Sequence, residues 1–435
     1  LKIKGKPRPV VTLFVVLVIG LLIGVSIRSA GYFWVMLVPN LLLLFVTLTF
    51  FFAYLEADRT LKKHPDKFPD ISVLIPCYNS KDTIFDTIAA LKASDYPGKM
   101  EILVVDDGST DGSRELLKSV HGIQLVLLEK NMGKAAALNT GIRMVRSPVI
   151  ACVDSDTYPT RAALKHAVAK LLEDDEYGAV TCFIKVAHAK GALMRVQEIE
   201  YYTGFGFAAI ATNFLDAIFV APGPTTIFRR SVMLEIGGFD EENITEDLEI
   251  AWRLRRYGYR LGYAIDAVVK TDVPGTLNGL FKQRLRWYRG KLFNLMKYGD
   301  MIFNPKYGNF GMFVLPFSFS AELAAVTLSF SFLYIIANQL IWLFGYLSTM
   351  LALHSVTFDI SGFGVVGMPA IAMGVILVMP WFIVVYISHL LAQHEWKLSD
   401  VPNAFLFLFF YGTVISVFYC ISFIMEVNRS DYSWK

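Results

Sequence analysis

A doubly wound α/β domain set between α-helical transmembrane segments is the fold class that three observations predict for this 435-residue chain. Hydrophobic residues make up 54% of it and charged residues 18%, fewer charges than the ~25% of an ordinary soluble protein. Nearly all of that charge falls between Glu56 and Lys306, while the flanks carry apolar runs long enough to cross a bilayer. Inside the polar stretch, short β-branched runs alternate with helix-periodic ones, as in a layered α/β sheet. Together these exclude a soluble enzyme, a disordered chain, a collagen-like fibre and a pure bundle of membrane helices. The expected division is a transmembrane hairpin over 1–55, a cytosolic α/β domain with interfacial helices over 56–306, and a transmembrane region of three or four spans over 307–435.

The hairpin rests on two uncharged runs, Val10 to Ile27 and Tyr32 to Leu55, separated only by Arg28, Ser29, Ala30 and Gly31. Lys2, Lys4, Lys6 and Arg8 precede it, and Arg59, Lys62 and Lys63 follow. The positive-inside rule therefore puts both ends, and the polar domain, in the cytoplasm. At the other end, Met312 to Leu353 is too long for one span and is interrupted by Glu322, Asn338 and Gln339. It reads either as a surface or re-entrant helix followed by one span, or as two short spans. Phe363 to Ala392 and Ala404 to Met425 are clearer spans, for a total of five or six.

In the polar domain, Ile71 to Ile75, Glu101 to Val105, Ile123 to Leu128 and Val149 to Val153 read as buried parallel strands. Asp82 to Ala93, Asp111 to Val120 and Gly133 to Val145 read as the helices between them. Ligands of such sheets sit beyond the carboxyl ends of the strands. Chemistry-bearing residues follow each strand in turn: Pro76-Cys77-Tyr78-Asn79, then Asp106-Asp107-Gly108-Ser109, then Asn131-Met132-Gly133-Lys134, then Asp154-Ser155-Asp156. No glycine-rich turn follows the first strand, so a dinucleotide fold is not indicated. Carboxylates at strand ends suit a nucleotide whose base and ribose are hydrogen-bonded and whose diphosphate is bridged by a metal.

Asp154 and Asp156, two residues apart on an extended chain, point to one side and offer hard oxygen ligands for Mg²⁺ or Mn²⁺. An isolated pair of this kind is usually a turn; its place on the ligand edge is what favours a metal. Asp106 and Asp107 serve equally well as a polar turn capping the next helix. Lys134 opens a helix, where a cation is poorly matched to the dipole and well placed for an anion such as phosphate. Thr245-Glu246-Asp247 precedes the amphipathic stretch Leu248 to Tyr257, with Thr245 in the N-cap position. Asp247 is then a general base for an acceptor hydroxyl, or the acids merely complement the helix dipole. Gln283, Arg286 and Trp287 share one helix face, as an interfacial anchor or as a phosphate and sugar platform; Lys282, Arg284 and Arg289 surround them and suit either purpose.

Asp106-Asp107-Gly108, Asp154-Ser155-Asp156, Thr245-Glu246-Asp247 and Gln283-Arg284-Leu285-Arg286-Trp287, in that order between membrane segments, resemble the processive family 2 glycosyltransferases. These are the membrane-embedded synthases of cellulose, chitin, hyaluronan and poly-N-acetylglucosamine. Overall size, the short hairpin and the stretch Ile244 to Gly290 resemble the bacterial poly-N-acetylglucosamine synthases most. The resemblance implies a GT-A fold and an inverting, metal-dependent polymerisation of a UDP-sugar, favoured as UDP-GlcNAc. Asp106 and Lys134 match uridine contacts, and Asp107, Pro76 and Tyr78 belong to the same substrate-binding set. Asp156 matches the main metal ligand, with Asp154 nearer the phosphates. Asp247 matches the base, with Glu246 and Thr245 in its motif. Gln283, Arg286 and Trp287 match the motif that holds the diphosphate and the acceptor end of the polymer, and Gly223-Pro224-Thr225-Thr226 lies near the acceptor. It further implies a growing polysaccharide as acceptor, surrounding plasma-membrane lipids, a catalytic domain in the cytosol, and room for a small accessory membrane subunit. A non-processive transferase acting on a lipid acceptor and a UDP-glucose-using glucan synthase stay open.

A net charge of +3 without a basic block gives nucleic acid no support as a partner. The four cysteines lack metal or redox spacing and read as reduced thiols.

Overall fold

The computed structural model of the chain describes residues 29–58, 65–353 and 368–428. The first expected span, its basic flank Lys2 to Arg8, the trio Arg59, Lys62 and Lys63, and the first residues of the run from Phe363 lie outside the described residues.

Helix α1 (Ser29–Glu56) leads to β1 (Ile71–Cys77), α2 (Ile84–Lys92), β2 (Met100–Asp106), α3 (Ser113–Leu117), β3 (Gln124–Leu127), α4 (Lys134–Met144) and β4 (Val149–Cys152). Next come β5 (Thr157–Pro159), α5 (Ala163–Leu171), β6 (Tyr177–Val186), α6 (Gly191–Tyr202), α7 (Ala209–Phe214), β7 (Thr226–Arg229), α8 (Arg230–Glu235), α9 (Glu246–Arg256) and β8 (Arg260–Thr271). The chain leaves the sheet through α10 (Leu277–Lys297) and continues as α11 (Leu315–Leu353), α12 (Met368–Leu391), α13 (Val401–Leu406) and α14 (Gly412–Val427).

The eight strands lie in the order β3-β2-β1-β4-β7-β6-β8-β5. The first four are parallel, as the β-branched runs imply, and β7 pairs antiparallel with both β4 and β6. Alternation along β1 and β2 splits the core between the two faces. Ile71, Val73, Ile75, Ile102 and Val104 pack with Ile84, Ile88 and Leu91 of α2 and Leu164 and Val168 of α5. Leu74, Leu103 and Val105 pack with Leu138 and Ile142 of α4 and Ile250 and Trp252 of α9.

Two elements differ from expectation. The helix expected over Asp111 to Val120 shrinks to Ser113–Leu117, because Asp111 is spent outside it. Its carboxylate accepts from the Ser113 and Lys81 backbone N–H groups, and Gly112 sits at φ 93°, which a helix cannot accommodate. In the C-terminal region, the stretch from Met312 to Leu353 is helical without a break. A π-helical turn, Phe310–Val314, runs straight into the 39-residue α11. At 1.5 Å per residue α11 is about 58 Å long, well beyond the ~30 Å hydrocarbon layer of a bilayer. No proline interrupts it after Pro316. Asn338 donates to the Tyr334 carbonyl of its own helix rather than across to another. Among the described residues, three stretches are long and apolar enough to cross a membrane: Leu37–Glu56, Phe310–Leu353 and Leu398–Val427.

Helix α10 is tied to these membrane helices by its basic residues. Buried Arg284 pairs with Glu200 of α6, which also accepts from the Tyr411 hydroxyl at 2.8 Å. Arg289 pairs with Glu426 of α14 at 3.0 Å, and Lys291 with Glu322 of α11 at 2.7 Å. Arg284 and Arg289 thus serve the interface with the membrane helices.

Removing one partner of a buried pair strands the other charge. Arg284→Ala should therefore destabilise the protein by about 3 kcal/mol, read as a lower unfolding midpoint in detergent micelles. An unchanged midpoint would show that Glu200 is satisfied without the guanidinium.

Candidate active site

Strands β2 and β3 lie to one side of β1 and β4 to the other, so the crevice of the doubly wound half opens between the carboxyl ends of β1 and β4. Strand β1 runs two residues further than expected, through Pro76. The Cys77 carbonyl accepts from Asp107 on the β2 side and the Leu74 carbonyl from Val153 on the β4 side. Residue 76 therefore faces β4, whose register with β1 ends at Leu74↔Cys152, and the missing proline N–H costs no ladder bond. Buried Pro76 leads to Tyr78, 46% exposed at the crevice rim. The Ser80 and Ser155 hydroxyls share a 2.7 Å hydrogen bond, and Thr87 donates to the Ser155 carbonyl at 3.0 Å, closing the floor.

The two acids at the end of β2, Asp106 and Asp107, do different work. The Asp107 carboxylate accepts from the backbone N–H groups of Met132 and Gly133 at 2.7 and 2.8 Å, fixing the loop that delivers Lys134 to the first position of α4. Burial raises its pKa in spite of those two donors. Asp106 is fully buried, and its Oδ2 accepts from Arg114 Nε at 2.7 Å. Its Oδ1 is buried with no hydrogen-bond partner among the described residues.

Lys134 Nζ lies 2.6 Å from Asp154 Oδ1 and 2.9 Å from Glu246 Oε1. The anions it faces are therefore the protein's own carboxylates, from the ends of β4 and the start of α9. Burial works against its charge, but Asp154, Glu246 and Asp247 outweigh that and hold the ammonium above the ordinary lysine range. Lys134, Asp154, Glu246 and Asp247 line one small cavity with Gly223. A side chain at residue 223 would collide with Asp154 Oδ2 and sit 2.5 Å from Lys134 Nζ. Of the segment expected near the acceptor, Gly223 thus faces the site, while Thr225 and Thr226 are buried and the Thr226 hydroxyl holds the Pro222 carbonyl at 2.8 Å.

Adjacent acids of α9 titrate in opposite directions. Burial pushes Glu246 up, but Lys134 and Arg286 hold it below the usual glutamate range. Asp247 is raised to about 6, first by burial and then by the Glu246 charge. Asp156 is likewise raised to about 6, by burial and then by Asp154. That excess of negative charge is one a divalent cation would offset, and two hard carboxylates suit Mg²⁺ or Mn²⁺. Among the described residues no three His, Cys, Asp or Glu side chains converge as a metal cage, so the donor set on offer is this pair.

Thr245 occupies the N-cap position of α9 but does not cap it. Its hydroxyl donates to Asn243 Oδ1 at 3.2 Å instead. On α10, which Thr276 caps through the Gly279 N–H, Arg286 acts electrostatically on Glu246 and Asp247. Gln283 Oε1 is buried without a hydrogen-bond donor among the described residues. Trp287 is half-buried against the sheet, with the Arg284 guanidinium 4.2 Å from its ring centroid, so one face of the indole is already covered.

Sequence reading missed Asp272. It follows β8 directly, adds to the negative field on Asp156, accepts from the Tyr158 hydroxyl at 2.8 Å and lies 3.2 Å from His188 Nδ1. The available signal was again an acid immediately after an apolar strand.

Residues 72–237 match Glycosyl transferase family 2. The chain is 33% identical over 275 residues to the poly-beta-1,6-N-acetyl-D-glucosamine synthase of Staphylococcus aureus, covering 62% of this chain and 66% of that protein. It is 33% identical over 232 residues to the enzyme of the same name from Staphylococcus epidermidis, covering 53% and 56%. It thus spans just under two thirds of the length of the first of these curated relatives and just over half of the second. A mannosyltransferase from Pyrobaculum calidifontis, solved with GDP-Man and Mn²⁺, shares the fold, with a TM-score of 0.54 at 21% identity over 91% of this chain and 100% of that one. The mixed sheet between apolar helices accords with the GT-A architecture expected from the sequence.

Gly223→Ala should displace Asp154 or Lys134 while leaving the sheet intact. Sugar transfer should fall on the order of 100-fold, the scale of a 1 Å misplacement, with little change in melting temperature. Wild-type turnover in this variant would mean the cavity tolerates a methyl group.

Proposed function

We propose that this chain, which carries a family 2 glycosyl transferase domain, is an inverting, divalent-metal-dependent synthase. It extends a β-linked N-acetylglucosamine polymer from UDP-GlcNAc at the cytosolic face of the plasma membrane and passes the product across it. The observation that carries this reading is the convergence of separate motifs on one cleft, where Lys134 joins Asp154 to Glu246 with Asp247 beside them. The staphylococcal poly-beta-1,6-N-acetyl-D-glucosamine synthases it resembles support the choice of sugar and polymer.

In this mechanism the uridine sits in the crevice between Pro76, Tyr78 and the β2 end, and the buried Asp106 Oδ1 is the acceptor that the base reaches. Asp107 keeps the Lys134 loop in register. Asp247 takes the proton of the acceptor hydroxyl as that oxygen attacks the anomeric carbon in line. The bond from the anomeric carbon to the diphosphate breaks on the opposite face, and its electrons leave with UDP. Arg286 offers positive charge to the departing group. Asp156 and Asp154 would hold a divalent cation, which would neutralise charge on the diphosphate. One displacement needs one protein base, and it inverts the anomeric centre. Gln283 and Trp287 line the acceptor side of α10, and a small accessory membrane subunit would complete the exit route.

The test is incorporation from labelled UDP-GlcNAc, UDP-glucose, UDP-glucuronate and UDP-galactose by purified protein with Mg²⁺ or Mn²⁺, followed by product sizing and linkage analysis. Long chains from UDP-GlcNAc while donor is still abundant are expected. Single addition to lipid would favour the non-processive reading, and no UDP release from any donor would overturn both. Asp247→Asn should lower kcat by roughly 10²–10⁴-fold.

A base raised to about 6 binds its proton up to that pH. The rate should therefore decline as pH falls through about 6 and level off above 7. A flat profile from pH 5 to 8 would remove Asp247 from this role.

A further inference from the structure

We infer that Gly290 and Asn294 of α10 are positioning residues that seat the proposed base Asp247 through Thr245; this rests on the transferase reading above. Arg286, Gly290 and Asn294 are spaced by four residues and share one face of α10. The first acts on Glu246 and Asp247, and the next two meet the loop from which those acids project.

The contact at Gly290 is backbone against side chain. A Cβ built there would fall inside Thr245 Oγ1 and Cγ2 and 2.8 Å from Thr245 Cβ, so only glycine lets α10 approach this closely. One turn further, Asn294 is fully buried and closes a ring of polar groups with Asn243 and Thr245, themselves 6% and 3% exposed. Asn243 Nδ2 donates to Asn294 Oδ1 at 2.8 Å, and Asn294 Nδ2 donates to Thr245 Oγ1 at 3.2 Å. The Thr245 N–H and hydroxyl both donate to Asn243 Oδ1, at 3.0 and 3.2 Å. This ring is why the Thr245 hydroxyl does not cap its own helix: it is held by α10.

The same loop is gripped from the other side. Asn139 of α4 donates to the Phe239 carbonyl at 2.9 Å and to Glu241 at 2.8 Å, and accepts from the Phe239 N–H at 2.7 Å. Residues 239–245 are therefore fixed between the helix that carries Lys134 and the helix that carries Arg286. Asp247, two residues past Thr245, inherits a position set by both cations' helices.

The test compares wild-type protein with Gly290→Ala, Asn294→Ala, Thr245→Gly and the double variant Gly290→Ala/Thr245→Gly, using whichever of the four UDP-sugars the wild type turns over. UDP affinity by calorimetry and the melting midpoint are measured alongside. Gly290→Ala should lower kcat on the order of 100-fold, with KM and UDP affinity changed by less than about threefold. Asn294→Ala, which adds no atoms, should give the same split. Because Thr245→Gly removes the side chain that the new methyl would strike, the double variant should be no slower than Thr245→Gly alone. Additive losses in the double variant, a kcat within about threefold of wild type, or equal losses in kcat, UDP affinity and melting midpoint would each overturn the positioning role. No turnover by the wild type with any donor would overturn the transferase reading and this inference with it; turnover with an unexpected donor leaves the comparison intact.

Discussion

The ammonium of Lys134 is the constraint on which the rest of the site depends. Asp154, Glu246 and Asp247 come from two separate parts of the chain to line one small cavity. Like charges about 4 Å apart repel by about 4 kcal/mol at an effective dielectric near 20. One cation bridging Asp154 and Glu246 makes their convergence tolerable. Its own placement then becomes critical, and several features serve it: Asp107 pins the two backbone amides before it, α4 begins at it, and Gly223 leaves the space it and Asp154 occupy. A lysine at a helix N-terminus is a poor partner for the dipole. The acids it bridges supply what the helix end does not.

Helix α10 carries this arrangement to the membrane. Its cations divide by direction: Arg286 acts on the acids of α9, while Arg284, Arg289 and Lys291 pair with Glu200, Glu426 and Glu322. Glu322 and Glu426 lie in apolar helices, where an unpaired carboxylate facing lipid is costly. Burying those acids and seating α10 are therefore one process. The helix face that meets Thr245 and the acids is then held by bonds to α11 and α14, so site geometry and membrane packing share a single rigid element.

Much of this was legible in the sequence where local pattern and chemistry coincide. The four parallel strands follow from their β-branched runs, and the acids directly after them fall on the ligand edge because that edge is fixed by strand polarity. What was not legible depends on contacts far apart in the chain. Asp106 and Asp107 are neighbours with identical side chains, yet one turns to Arg114 and the other to the backbone at 132 and 133. Thr245 reads as a cap, and only the approach of Gly290 and Asn294, some 45 to 49 residues later, shows why it is not one. Asp272 drew no attention in the sequence, and only the position of β8 brings its charge to bear on Asp156. The polar breaks in Met312 to Leu353 suggested a chain interruption, but Glu322 is satisfied by Lys291 and Asn338 by its own helix, so nothing stops the helix.

The pairing of Lys134 also decides which of two adjacent acids is fitted to be a base. Glu246 and Asp247 share a helical turn and the field of Arg286, so position alone does not separate them. Lys134 bonds Glu246 directly, which keeps that carboxylate ionised, weakly basic and already engaged. The negative charge thus fixed next door, added to burial, makes Asp247 the stronger base, while its Oδ1 accepts the N–H of the next residue. Two carboxylates pushed apart in this way divide the labour that a single acid would perform poorly. In the proposed mechanism Glu246 organises the cations, and Asp247, raised to about 6, is the group that takes the proton of the hydroxyl.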